Sequence, residues 1–421
     1  MPSRRVAVTG LGAISALGPD HRAFWQALTE GRSGIAPIES VDTSRLRFTR
    51  GAEVRGFEPR EHFDRKSAEI LDRFAQLAVV AAREALVDAG LAPGAGDGGG
   101  ASGATGEGLR LGERAAVVTG SCLGGQTSED AGFADLYGRG RDRMHPMSIP
   151  RAMANAGASA VALETGVTGP VFTVSTACSS ANHALGQAFW LVRSGAVELA
   201  VAGGSEAPFS FGNLKAWEAL RAVSPDTCRP FSRDRQGLIL GEGAGMLVLE
   251  DLERARARGA RIHAELAGFG MSSDAYHPTL PSPDGAAAAM RSALADAALA
   301  PEAVGYVNAH GTGTPANDPA EVRALRRVFG AHAERLAVSS TKSMHGHALG
   351  AAGALEAVAT VLALAERILP PTANFTEPDP ECDLDAVPNR ARPAPAGLEA
   401  ALSSSFAFGG LNAVLAFRTA P

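Results

Sequence analysis

Two periodicities alternate along this chain. Short, nearly unbroken apolar runs at Val6–Thr9, Ala116–Thr119, Val171–Ser175, Leu199–Ala202, Met246–Leu249, Ala264–Gly268, Tyr306–Asn308, Leu336–Ser339 and Ala413–Phe417 read as β-strands. Residues 67–91, 180–194, 285–299, 318–329 and 350–367 instead place apolar side chains at helical spacing. The strand-like runs carry few polar residues on either face. That pattern predicts strands covered on both sides, in a mixed α/β sheet packed between helices.

Two of the strand-to-helix segments nearly superimpose. VFTVSTACSSANHALG (171–186) and LAVSSTKSMHGHALG (336–350) share Val, Ser and His-Ala-Leu-Gly at a constant offset of 164 residues (338 − 174 and 347 − 183). Cys178 then falls opposite Lys342, and His183 opposite His347. A weaker echo pairs Gly10-Leu-Gly12 with Gly268-Phe-Gly270. Both repeats predict a duplicated fold joined near residue 255, with halves 1–255 and 256–421 and one site between them. The charged stretch LERARARGARI (252–262) marks the joint. Residues 92–112 are rich in Gly, Ala and Ser and read as a mobile surface insert.

Composition narrows the function classes. The chain has 421 residues, 45% of them hydrophobic and 20% charged, and suits a globular protein of two halves. A net charge of −6 argues against a nucleic-acid binder but leaves room for a local basic patch. No uninterrupted apolar run approaches the roughly 18 residues of a membrane helix, and MPSRRVAVTGLG has no leader-like apolar core. Cys122, Cys178, Cys228 and Cys382 are widely spread without a CxxC pair, which predicts free thiols in a reducing cytoplasm.

The candidate chemistry gathers at Gly-rich junctions. Cys178 follows a β-run and precedes a helical pattern, so it is expected at a helix N-terminus, where the dipole favours a thiolate nucleophile. His310, in NAHGTGTPAND, follows Tyr306–Asn308, with the Thr312 and Thr314 hydroxyls on the same loop. His347 is expected to open the helix that repeats the Cys178 helix, which would hold its imidazole neutral. Lys342, if buried, needs a carboxylate, and Glu321 is the candidate. Its expected role is electrostatic rather than nucleophilic. The loop SSSFAFGGLNA (403–413) carries Phe408 beside Gly409 and Gly410, and a main-chain N–H there suits an oxyanion.

Two other motifs have plainer readings. Gly10-Leu-Gly12-Ala-Ile-Ser15 lacks the third glycine of a dinucleotide fingerprint and has no identifiable ribose-binding acid. His345 and His347 form an HxH pair with no carboxylate or Cys cluster beside it, so no metal is expected.

Taken together, TACSS, GEGAG (241–245), HGTGT, STKSMHGHALGAAGA and SFAFGG resemble the β-ketoacyl synthases of the thiolase superfamily, over nearly the whole chain. The resemblance implies an α/β, thiolase-like fold of duplicated α-β-α-β-α five-layer architecture. It implies an acyltransferase that performs a decarboxylative Claisen condensation. Cys178 would carry the acyl chain, and His310 and His347 would act on malonyl carrier protein. The N–H groups of Cys178 and Phe408 would hold the oxyanion. Thr312 and Thr314 would contact the pantetheine arm, while Glu321 and Lys342 would form an ion pair. Phe408, with Ala407 and Gly409, would gate an acyl pocket that Trp217 lines. The implied partners are acyl carrier protein, docking at Arg65, Lys66, Arg73, Arg143 and Arg221, and either a second copy or a chain-length-factor subunit. No cofactor is implied beyond the phosphopantetheine arm that the carrier brings.

FAFGG where FGFGG is usual, His345 where Thr is frequent, and Glu69 and Ile70 in the docking helix point to a specialised type II enzyme. Fatty-acid, polyketide, polyene and nodulation-lipid assembly all remain open. The alternatives are a ketosynthase bound to a non-catalytic chain-length factor, a scaffold subunit (against which the intact Cys178 counts), and a degradative thiolase, for which Cys382 is the only candidate second Cys.

Overall fold

The computed structural model describes residues 4–91 and 109–421, so most of the 92–112 insert lies outside the described residues. Ten strands form the main sheet: β1 (Val6–Ser15), β2 (Ala115–Gly120), β3 (Val171–Val174), β4 (Leu199–Glu206), β5 (Gly243–Asp251), β6 (Ala264–Ser273), β7 (Val304–Asn308), β8 (Ala337–Ser339), β9 (Ala400–Ala407) and β10 (Leu411–Thr419). Their order is β8-β7-β9-β10-β6-β1-β5-β4-β2-β3. Split between β6 and β1, this becomes two leaves of five. The order β3-β2-β4-β5-β1 is repeated in the second leaf with every number advanced by five.

Strand directions repeat as well. β2 runs parallel to β3 and β4, as β7 does to β8 and β9. β5 runs antiparallel to β4 and β1, as β10 does to β9 and β6. Among the described residues, only Val6–Val8 against Ala264–Leu266 joins the leaves edge to edge.

Six helices complete five layers. They are α1 (Arg73–Asp88), α2 (Ala156–Thr165), α3 (Ser180–Ser194), α4 (Pro283–Asp296), α5 (Asn317–Phe329) and α6 (Ala352–Glu366). α1 and α2 cover the outer face of the first leaf, and α4 and α5 that of the second. α3 and α6 lie between the leaves in the central core. Every residue of β1 is buried, which explains its uninterrupted apolar run. The continuous helix Leu349–Glu366 is apolar and long enough to cross a membrane by composition, yet 89% of it is buried, as befits a middle layer.

The structure departs from the sequence reading of the elements in two places and explains a third feature. The 67–91 pattern splits into Arg65–Ile70 and α1, because the Asp72 carboxylate caps α1 at Phe74 N (3.1 Å) and also accepts Thr127 Oγ1 (2.7 Å) and Ser128 N (2.8 Å). The segment 403–413 is largely strand rather than loop. Ser403–Ser405 are wholly buried in β9, and only Phe408–Gly410 turns. Finally, Gly10 and Gly12 sit in mid-strand, where a β-carbon on either would overlap the backbone of α1 at Ala85 and Ala81. The glycine pair serves helix–strand packing.

Candidate active site

Both leaves point their site-forming turns at one cavity of about 330 Å³, lined among others by Cys178, Trp217, His310, Thr312, Thr314, His347, Ala407 and Phe408. Cys178 stands in a tight turn between β3 and α3. Ala177 takes φ +51°, a strained value for a residue with a side chain. Hydrogen bonds from Ser179 Oγ to Thr176 O (2.8 Å) and from Ser180 Oγ to Ala177 O (2.6 Å) hold the turn.

The Cys178 thiol is not acidified as the helix N-terminus predicts; it is pushed up to about 11. Burial is the largest cause, while Lys342 and hydrogen bonds from the N–H groups of Phe408 and Cys178 pull the other way. Desolvation of a thiolate outweighs a dipole effect that is worth only about 1 kcal/mol at best in most settings.

His310 follows β7. The Glu321 carboxylate on α5 accepts both His310 N and Gly311 N at 2.8 Å and so fixes the turn. Asp318, on the same helix, accepts Gly313 N (3.2 Å) and Phe231 N (2.9 Å). The Thr312 and Thr314 hydroxyls lie 2.9 Å apart on this loop.

His347 does not open a helix. Gly346, at φ +69°, breaks the chain between the short helix Lys342–His345 and a 3₁₀ turn at Leu349–Ala351. Its repeat partner His183 lies inside α3, bonded to Thr176 Oγ1 at 3.0 Å, away from the cavity lining. His347 is held by its backbone to Ile239 O (2.6 Å), and its Nδ1 accepts Leu349 N (3.1 Å). A neutral ring with that acceptor carries its proton on Nε2.

The His310 and His347 rings meet edge-on, with centroids 5.5 Å apart. Both are held well below the usual imidazole range by burial and then by Lys342. They are neutral at physiological pH.

Lys342 and its partner correct the expected pairing. The ammonium bonds Glu356 of α6, both side chains being wholly buried, and not Glu321. Glu321 spends its oxygens on the His310 turn. Burial pushes both Glu321 and Glu356 up to about 7. Glu356 is the only acid within the apolar run of α6, and that isolation was the sequence signal for it.

Phe408 turns on Gly409 (φ +81°) and Gly410 (φ +71°), and its ring stacks on Trp217 with centroids 6.2 Å apart. Gly409 N donates to Pro278 O (2.8 Å), so the facing 277–281 loop, absent from the sequence reading, touches the Phe408 turn. His345 bonds Thr341 Oγ1 (3.0 Å) and packs against Phe24. Cys382 is buried in the outer core of the second leaf, outside the cavity lining, and the Cys228 thiol donates to Thr312 O (3.3 Å).

Of the basic candidates, Arg65, Lys66, Arg143 and Arg221 are exposed, and Arg221 stands at the cavity mouth. Arg73 is not available in the same way. Its guanidinium forks onto buried Glu242 (2.9 and 2.7 Å) and bonds Val54 O (2.7 Å).

Against known proteins, residues 3–255 match the beta-ketoacyl synthase N-terminal domain and residues 263–376 its C-terminal domain. The chain belongs to the β-ketoacyl synthase family. This β-ketoacyl synthase is 49% identical over 419 residues to Nodulation protein E of Rhizobium sp. (strain N33), covering 99% of each chain. It is 43% identical over 426 residues to 3-oxoacyl-[acyl-carrier-protein] synthase 2 of a Synechocystis strain, again covering 99% of each. Among solved structures, the ishigamide ketosynthase/chain length factor superposes with a TM-score of 0.91 at 40% identity, covering all of both chains.

Proposed function

We propose that this β-ketoacyl synthase catalyses decarboxylative condensation of an acyl thioester with malonyl carrier protein, through an acyl group held on Cys178. The observation that carries the reading is the convergence of Cys178, His310 and His347 on one cavity, with Lys342 buried behind them.

In the first half-reaction the Cys178 sulfur bonds the acyl carbon, the carrier's C–S bond breaks, and the thiol proton leaves with the carrier's pantetheine thiol. In the second, the malonyl C–C bond breaks to release CO₂, and its electron pair passes into an enolate. Neutral imidazoles suit that step as hydrogen-bond donors, and the Nε2 proton of His347 is free to face the enolate oxygen. The carbanion then attacks the acyl carbon, the bond to Cys178 breaks, the released thiolate takes up a proton from solvent, and a 3-ketoacyl thioester leaves. The N–H groups of Cys178 and Phe408, both of which favour the thiolate over the thiol, would hold the tetrahedral oxyanion. Thr312 and Thr314 would receive the pantetheine arm, and Phe408 on Trp217 would gate the acyl chain.

The reaction needs no cofactor of the protein's own. The partner is acyl carrier protein, docking at Arg65, Lys66, Arg143 and Arg221. The chain acts in the cytoplasm as a dimer, with a second copy or a chain-length-factor subunit, its halves meeting at residues 255/256. Fatty-acid and polyketide elongation both fit the relatives.

The test is acylation and decarboxylation measured separately. Cys178→Ala should abolish condensation and the acyl adduct seen by mass spectrometry. His310→Ala and His347→Ala should impair malonyl decarboxylation more than Cys178 acylation, while His183→Ala should not single out decarboxylation. An acyl adduct persisting on another Cys, or unchanged decarboxylation in both His variants, would overturn the assignment.

A further inference from the structure

Glu206 is the last residue of β4 and is wholly buried. Four donors converge on its carboxylate. Oε1 accepts Ser121 Oγ (2.9 Å) and Leu123 N (3.2 Å), and Oε2 accepts Cys122 N (2.8 Å) and Gly350 N (3.1 Å). Three of these come from the loop after β2 in the first leaf. The fourth comes from the turn after His347 in the second.

Each end of this bridge is one step from a reacting group. Gly120, which leads into the 121–123 loop, has no room for a β-carbon against Ser180 and Ala181, the start of the Cys178 helix. On the other side, Leu349 N holds His347 Nδ1 and the next amide, Gly350 N, holds Glu206. Gly350 itself sits so close that a β-carbon would come within 2.5 Å of both Cys122 N and Glu206 Oε2.

We propose that Glu206 is a positioning residue of the condensation, a clasp that fixes the His347 turn of the second leaf against the loop beside Cys178 in the first. The inference rests on the ketosynthase reading of the cavity. Glutamine cannot replace the clasp. In either orientation its NH₂ faces a backbone N–H, that of Leu123 on one side or those of Cys122 and Gly350 on the other. Aspartate keeps the charge but is too short to reach both segments. The charge has its own signature, because Glu206 is one of the groups that raise the Cys178 thiol.

The experiment compares Glu206→Gln and Glu206→Asp with the parent, following malonyl decarboxylation, Cys178 acylation, and the pH profile of iodoacetamide alkylation on the Cys178 peptide. Both variants should lose roughly tenfold to a hundredfold in decarboxylation kcat, with KM changed less than about threefold and acylation less affected. Glu206→Gln should also move the alkylation midpoint to lower pH, and Glu206→Asp should leave it in place. Acylation and decarboxylation falling together in Glu206→Asp would refute the clasp. So would decarboxylation within about twofold of the parent in Glu206→Asp, the variant that decides should Glu206→Gln not fold. A parent that fails to decarboxylate malonyl carrier protein would refute the underlying reading instead.

Discussion

Replacing Lys342 by Met tests the electrostatic centre of the site. Lys342 and Glu356 are both fully buried, so the substitution strands a carboxylate that has only the ammonium as a side-chain partner. Removing one member of such a pair costs about 3–5 kcal/mol. An unfolding entropy of about 2.1 cal/mol/K per residue gives roughly 0.9 kcal/mol/K for a chain of this size, so each kcal/mol moves Tm by about 1 °C. Lys342→Met should therefore melt about 3–6 °C lower than the parent.

Lys342→Met/Glu356→Leu removes both charges and should recover most of that loss, since apolar replacement of a buried pair is often neutral or stabilising. Decarboxylation should not recover. Lys342 is what holds His310 and His347 lowest after burial itself, and it also favours the Cys178 thiolate. Differential scanning fluorimetry and a malonyl decarboxylation assay read the two effects. A single variant melting within about 1 °C of the parent, or a double variant with parental decarboxylation, would refute the reasoning.

Two further outcomes follow from the geometry. With Cys178 pushed up to about 11, only the minor thiolate reacts at neutral pH. Its alkylation should climb about tenfold per pH unit from pH 7 to 10, and a plateau near pH 8 would refute the burial argument. Arg65→Glu with Lys66→Glu should raise KM for carrier-bound substrate in a salt-dependent way with Tm unchanged, whereas Arg73→Ala should lower Tm by stranding Glu242. Equal behaviour of the two would show that Arg73 is not the internal residue its bonds to Glu242 and Val54 indicate.

Features set by local chemistry were readable from the chain alone. The strand–Cys–helix junction at 178, the His310 turn and the glycines around Phe408 are local patterns, and the fold places them together. Features set by distant partners were not. Glu321 was matched with Lys342 because both were plausible buried charges, yet the choice between Glu321 and Glu356 depends on where α5 and α6 lie in three dimensions. Glu206 reads as the end of a strand, since its four donors come from segments 83 to 144 residues away. The sign of the Cys178 shift failed for a related reason: a helix terminus is visible in sequence, but the depth of burial is not. His347 left its helix because Gly346 permits a break that the matching HALG letters conceal.

The shared middle layer also bears on how the chain is made. α3 belongs to the first leaf, and its inner face is covered by α6, which is translated about 170 residues later. During synthesis the leading leaf leaves the ribosome with a strip of Ala, Leu and Phe uncovered. That is the kind of exposed surface on which chains aggregate. Closing the layer requires contacts of very long sequence separation, which slows folding. The first leaf therefore stays open to such association until α6 arrives.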